Sequence, residues 1–191
     1  MEFLKDIFID KLGLEMLHLE KFISLTRTKK LKKKDFLIKE GAVCEFIGFV
    51  VSGKLRSYVQ NEEQEFNNDF YLQNSLVTAY TSYLTQNPTN CNIEALADTE
   101  ILYITNKQFN ALIEEDVLFL KLAKYISDAF FIKKCKRETS FLKNSATERF
   151  VQLCKAYPGI EQEISQYHIA SYLGIKPESL SRIKLLTYIN K

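Results

Sequence analysis

The sequence predicts an α+β chain: a small antiparallel β-roll or barrel with flanking helices, a long helix, and a C-terminal helix-turn-helix. Three observations point there. Residues 36–105 break into short apolar, β-favouring runs separated by turns. Residues 117–142 carry two apolar stripes at helical spacing. Residues 166–184, QYHIASYLGIKPESLSRIK, have the spacing of two short helices crossing over one apolar patch.

Taken in order, residues 3–26 read as one or two amphipathic helices. Phe3, Leu4, Ile7, Phe8, Leu14, Leu17, Phe22 and Leu25 recur near a helical period and should cover one side of the roll. The run RTKKLKKKDF follows, with Lys29, Lys30, Lys32, Lys33 and Lys34 crowded together; a solvated edge is the commoner explanation of such a run, and contact with nucleic acid the rarer one. FLIKEG, EFIGFVVSGKLRSYV, EFNNDFYL, NIEAL and EILYI then read as strands, with Gly41 and Gly53 at tight turns and NEEQ linking two of them. SLVTAYTSYLTQNPTN interrupts them as a short helix and loop.

In the long helix, Leu118, Leu122, Tyr125, Ala129 and Ile132 follow a 4-3-4-3 rhythm, and Phe119, Ile126 and Phe130 form a second stripe. Two stripes ask for two partners, the roll and the same helix of a second subunit. The helix ends in the basic run KKCKRE, which should lie near any bound polyanion. Ser145 and Glu148 have the spacing of a capping box for ATERFVQLCKAY, and Pro158-Gly159 stops that helix. Glu161–Ser165 leads into the helix pair, with Ile164 as anchor.

Within the pair, Ala170 is small where the helices cross, Gly174 supplies a left-handed turn, Ile175 plugs the corner, and Pro177 suits the first turn of the second helix. That leaves Lys176, Glu178, Ser179, Ser181, Arg182 and Lys184 off the buried stripe, on a helix able to enter a DNA major groove. Gln166 and His168 on the first helix could reach the phosphate backbone. A helical hairpin that packs and does nothing else would show the same small-residue crossing. The end of the chain, with Leu185, Leu186, Tyr188 and Ile189, should finish the second helix and pack it down, with no β-hairpin wing to add phosphate contacts.

Composition, 46% hydrophobic and 26% charged, allows a core in a globular protein, and no apolar run is long enough to span a bilayer. The N-terminus lacks the pattern of a secretory signal, and Cys44, Cys91, Cys135 and Cys154 are far apart, so reduced thiols in the cytoplasm are expected. The formal net charge of +2 hides +4 over residues 1–39, −9 over 40–118 and +7 over 119–191. An acidic middle and a basic C-terminal third fit a sensor module joined to a polyanion-binding module. Cofactors are not expected. The cysteines are not grouped as an iron–sulfur cluster requires, and His18 fits an interfacial histidine better than a haem ligand.

LIKEGAVCEFIGFVVSG, Leu37–Gly53, resembles the first signature of the cyclic-nucleotide-binding jelly roll, departing at Gly48, where a larger apolar residue is usual. With the C-terminal helix pair, the order of parts resembles the Crp/Fnr superfamily of bacterial transcription regulators over nearly the whole chain. The resemblance implies a sensor domain at 1–116, a dimerisation helix at 117–143 and a DNA-binding domain at 144–191. It implies a cytoplasmic homodimer on double-stranded DNA, no membrane, and RNA polymerase as a further partner.

The second family signature is missing. Where nucleotide-binding members have Gly-Glu for the ribose and Arg-Ser or Arg-Thr for the cyclic phosphate, this chain has Thr78-Ala79 and Thr89-Asn90, and no lysine or arginine occurs between Arg56 and Lys107. A buried phosphate needs charge-assisted donors, so cyclic AMP is not the expected effector. Either an uncharged or weakly polar ligand sits among Tyr80, Tyr83 and their neighbours, or those side chains fill the space. In the recognition helix the family pattern Arg-Glu-x-x-x-Arg is matched by Pro177-Glu178-Ser179-Leu180-Ser181-Arg182, which keeps Glu178 and Arg182 and loses the first arginine. Glu178 can accept from cytosine and Arg182 can donate twice to guanine; four residues apart, they could also brace each other. The rival reading is a small-molecule sensor whose helix pair binds a protein partner. An enzyme is the weakest reading, with no nucleophile motif or glycine-rich phosphate loop.

Overall fold

Residues 2–62 and 64–189 are described by a computed structural model. The chain opens with α1 (Glu2–Lys5), a π-helical turn at Asp6–Lys11, and α2 (Met16–Leu25). Eight strands follow: β1 (Arg27–Leu31), β2 (Phe36–Ile38), β3 (Phe46–Ser52), β4 (Leu55–Asn61), β5 (Gln64–Tyr71), β6 (Leu76–Val77), β7 (Asn92–Ala95) and β8 (Thr99–Thr105). Between β6 and β7 lies α3 (Tyr80–Thr85), and after β8 comes α4 (Asn106–Glu115). A 3-10 turn at Val117–Phe119 leads into α5 (Leu120–Lys143), then α6 (Ala146–Ala156), α7 (Ile160–Glu163), α8 (Gln166–Leu173) and α9 (Pro177–Ile189).

The strands form two four-stranded sheets, ordered β1-β8-β3-β6 and β2-β7-β4-β5, the jelly-roll arrangement the sequence predicts. Short apolar runs supply the buried positions of each sheet, and Leu37, Ile47, Phe49, Leu55, Ile93 and Ile101 from both sheets share one core. The N-terminal helices close one side of it: Phe8 packs against Phe22 in a tilted pair at 5.1 Å, and Phe22 meets Phe49 edge-on at 6.0 Å. Leu17, expected in that contact, is exposed. Because α2 starts at Met16, Leu19 and Phe22 (i, i+3) point inward and Leu17 falls on the far side.

The lysine run makes an edge strand. β1 pairs only with β8, in register Arg27↔Tyr103 to Leu31↔Thr99, and all its residues but Leu31 are exposed. Lysines along an unpaired edge discourage another strand from adding there. Gly48 lies opposite Val77 in the β3–β6 pair, and a Cβ there would come within 3.1 Å of Val77 Cγ1. The family's larger residue at this position would crowd that short strand.

Leu122 of the 4-3-4-3 stripe and Phe119 and Ile126 of the other stripe are buried together in the roll's core. Leu118 lies in the 3-10 turn, where each residue advances 120° rather than 100°, so the phase shifts on entering α5 and brings the two stripes together. Leu118, Leu120, Phe131 and Ile132 remain exposed. No helix among the described residues is long and apolar enough to cross a membrane.

By compactness the chain divides into two units. One takes the residues up to Ser57 and Phe70–Phe130; the other takes Tyr58–Asp69, the far end of the β4–β5 hairpin, and everything from Phe131 onward.

Gly41 and Gly53 both adopt φ +85°, but only at Gly53 would a Cβ collide, 2.4 Å from Asp98 O. Gly41→Ala should cost about 1–3 kcal/mol for the left-handed backbone alone. Gly53→Ala should cost more. Urea unfolding of the two variants tests the order.

Candidate nucleic-acid interface

In the second unit, Ser165 caps α8, its side chain accepting from His168 N. Gly174, at φ +68°, ends α8 with a Schellman pair: Ile175 N donates to Ala170 O (3.0 Å) and Gly174 N to Ser171 O (3.1 Å). Pro177 then starts α9, whose Leu180 and Ile183 are buried with Ile169, Ala170 and Leu173. This shared apolar patch fixes which face of α9 points away. Upstream, Ser145 and Glu148 form the expected capping box on α6, and hydrogen bonds from Ser145 hold the Glu148 carboxyl below its usual pKa.

The outward face of α9 and its preceding turn carries Lys176, Glu178, Ser181 and Arg182, all exposed, with Ser179 half-buried beside them. Glu178 and Arg182 lie four residues apart on this face but form no ion pair with each other among the described residues. Ser181 Oγ donates back to Pro177 O at 3.2 Å. Gln166 is exposed at the start of α8.

Two predicted site residues are engaged within the unit. Lys184 Nζ is 2.7 Å from Glu161 Oε1, and both side chains are mostly covered. His168 is half-buried, with Nδ1 3.5 Å from Asn67 Nδ2 in the β4–β5 hairpin. Leu185 and Leu186, expected to pack down, are 63% and 58% exposed. The buried stripe of α9 runs from Leu180 through Ile183 towards Thr187, and both leucines fall beside it. The side chains of Tyr188 and Ile189 lie outside the described residues.

The hairpin and the end of α5 hold the helix pair through polar contacts that the sequence did not signal. Asn67 N donates to Ser171 Oγ (2.9 Å), which donates to Glu65 O (3.1 Å). Arg137 stacks on Tyr172 (4.0 Å) and Phe141 (4.6 Å) and donates to Tyr172 O (3.0 Å) and Asn67 O (3.3 Å). Arg149 donates to Leu173 O (3.0 Å) and Asn144 O (2.8 Å) while also stacking on Phe141. Lys133 pairs with Asp69 at 2.5 Å. Burial opposes the Lys133 charge, but Asp69 and the Tyr157 hydroxyl more than offset it and hold its pKa above the usual lysine value. The KKCKRE run therefore does not project as a whole towards a polyanion: Lys133 and Arg137 are committed internally.

In the first unit, several of the residues expected to line an effector pocket are engaged with other residues of that unit. Thr78, Ala79, Tyr83 and Thr89 are buried, Tyr80 is half-buried and Asn90 is exposed. Thr78 Oγ1 donates to Phe46 O (2.8 Å), Tyr80 stacks on Phe130 (4.8 Å), and Thr89 N donates to Ala42 O (2.8 Å). Burial, with smaller contributions from Tyr80 and Cys44, raises the Tyr83 pKa and keeps its hydroxyl protonated. Arg56 is 5% exposed, and its Nε and Nη2 both donate to Glu94 Oε2, at 2.9 and 2.6 Å. His18 bridges Glu15 N, through Nδ1, and Asp116, 3.2 Å from Nε2. No group of three or more potential metal ligands occurs among the described residues.

Residues 28–116 match the cyclic nucleotide-binding domain family. Among solved structures, FixK2 from Bradyrhizobium japonicum superposes with a TM-score of 0.73 at 18% identity, over 86% of this chain and 85% of that one. A Crp/Fnr-family transcriptional regulator from Eubacterium rectale gives 0.68 at 18% identity, over 93% and 85%. The catabolite activator protein of Thermus thermophilus gives 0.57 at 20% identity, over 93% and 85%. No curated protein matches at the sequence level.

If Lys184 serves the fold, Lys184→Met and Glu161→Gln should be non-additive, with a coupling of about 0.5–1 kcal/mol for a partly solvated pair. Chemical denaturation of both single variants and the double variant measures it.

Proposed function

We propose that this chain, which has the Crp/Fnr fold and carries a cyclic nucleotide-binding domain, is a transcription regulator that binds DNA as a homodimer and does not take cyclic AMP as its signal. The observation that carries the reading is the exposed Glu178/Arg182 face of α9, held outward by the buried crossing with α8. Arg182 can donate twice to a guanine edge and Glu178 can accept from a cytosine amino group. Lys176 and Gln166 are placed for phosphates, and the +7 charge of the C-terminal third supplies sequence-independent attraction. In the division we adopt, residues 1–116 sense, 117–143 dimerise and 144–191 bind DNA.

Dimerisation is supported by the apolar side chains that α5 and its 3-10 start leave in water: Leu118, Leu120, Ile132 and above all Phe131, at 70% exposure. Independence from cyclic AMP rests on charge. The buried Arg56 is bound to Glu94, and no lysine or arginine lies between Arg56 and Lys107 to meet a cyclic phosphate. Leu185 and Leu186, exposed next to Arg182, favour a second reading in which α9 docks a protein.

Fluorescence anisotropy against the duplex upstream of the gene and a scrambled duplex separates the two. DNA binding should weaken steeply with salt. Arg182→Ala should cost about 1–3 kcal/mol and relax one base position, and cyclic AMP should leave the affinity unchanged. Salt-insensitive association, or an Arg182→Ala variant that binds like the parent, favours the protein-docking reading. Sedimentation of a Phe131→Glu/Ile132→Glu variant should show monomer where the parent is dimer.

A further inference from the structure

Over residues 131–143, α5 has two distinct faces. Lys133, Arg137 and Ser140 turn inward and are held by Asp69, by the carbonyls of Asn67 and Tyr172, and by Gln152. Ile132, Cys135, Thr139 and Leu142 lie on another side of the helix, and all four are exposed, Leu142 at 84%. Their 3-4-3 spacing is that of the a and d positions of a coiled coil. A seam three turns long therefore faces water.

The charges beside this seam select what covers it. Glu138 is the only carboxylate in residues 131–143, among five lysines and arginines. Glu138 and Lys143 are both exposed, and neither side chain forms an ion pair or hydrogen bond among the described residues. With Ile132 and Thr139 at a, and Cys135 and Leu142 at d, Glu138 falls at g and Lys143 at the following e. In a parallel two-stranded pair, g of one helix meets that e of the other, so opposite charges face each other. In an antiparallel pair, g meets g and Glu138 would face its own copy. Moving the seam to Phe131, Cys135, Glu138 and Leu142 would bury Glu138 against the same carboxylate, a costly like-charge contact. One orientation and one register remain.

We propose that residues 131–143 recognise a second copy of this chain through a reciprocal ion pair, Glu138 with Lys143 of the partner subunit. The pair flanks a parallel seam of Ile132, Cys135, Thr139 and Leu142. This rests on the dimer reading above and adds the register of the two helices and the basis of self-selection. Two-fold symmetry forms the pair twice. A chain of like fold without the complementary charges meets the seam with Glu138 or Lys143 unmatched, so mixed dimers are disfavoured.

Sedimentation equilibrium of the full chain tests this with Glu138→Lys, Lys143→Glu and the combined variant. Each single reversal sets like charges against each other at both pairs. It should raise the dimer dissociation constant about tenfold or more at low salt, and high salt should shrink the difference. The combined variant restores opposite charges and should dimerise like the parent. An equimolar mixture of the two single variants should form mixed dimers, because both of its pairs are again complementary. Rescue in these two samples separates lost pairing from lost folding. Single reversals that dimerise as tightly as the parent, or a combined variant as weak as the singles, overturn the ion pair while the dimer reading stands. A parent that is monomeric throughout overturns both.

Discussion

The orientation of the helix pair depends on two arginines that complete the C-terminal end of α8. A helix end leaves carbonyls without partners, and here those of Tyr172 and Leu173 accept from Arg137 of α5 and Arg149 of α6. Both guanidinium groups stack on Phe141, so one aromatic ring organises both clamps. Bonds from a charged donor at the negative end of a helix are among the stronger ones available to a backbone carbonyl. Gly174 belongs to the same arrangement, since a Cβ there would lie 3.0 Å from the Phe141 ring. The glycine thus serves the left-handed turn and the close approach together.

This clamp also divides the basic residues of the C-terminal third by task. Lys133, Arg137, Arg149 and Lys184 hold elements of the unit to one another, whereas Lys176 and Arg182 stay in water. Net charge alone therefore overstates the surface offered to a polyanion. What remains in water is spread over Lys121, Lys124, Lys134, Lys136 and Lys143 of α5, Lys155 of α6, and Lys176 and Arg182 at α9.

Features legible in the sequence are those whose cause is local. The capping box at Ser145 and Glu148, the turn at Gly174 and the apolar crossing at Ala170 and Leu180 each follow from residues a few positions apart. The roll was legible from its short apolar, β-favouring runs between turns, except where a strand lacks such a run. β1 hid in the lysine run because an exposed edge shows no apolar period, and β6 was too short to show one. Leu17 was misplaced because the start of α2 sets the phase, which a fixed period ignores. The polar contacts of the site were hidden for another reason: Asn67 and Ser171 are 104 residues apart, and nothing near either names the other.

The most direct test of symmetric, dimeric recognition by α9 is selection from a random pool of duplexes by the full chain, followed by sequencing. A two-fold dimer presenting two copies of α9 predicts enrichment of near-palindromes with half-sites about one helical turn apart. Enrichment of a single asymmetric site, or of no sequence at all, would contradict it.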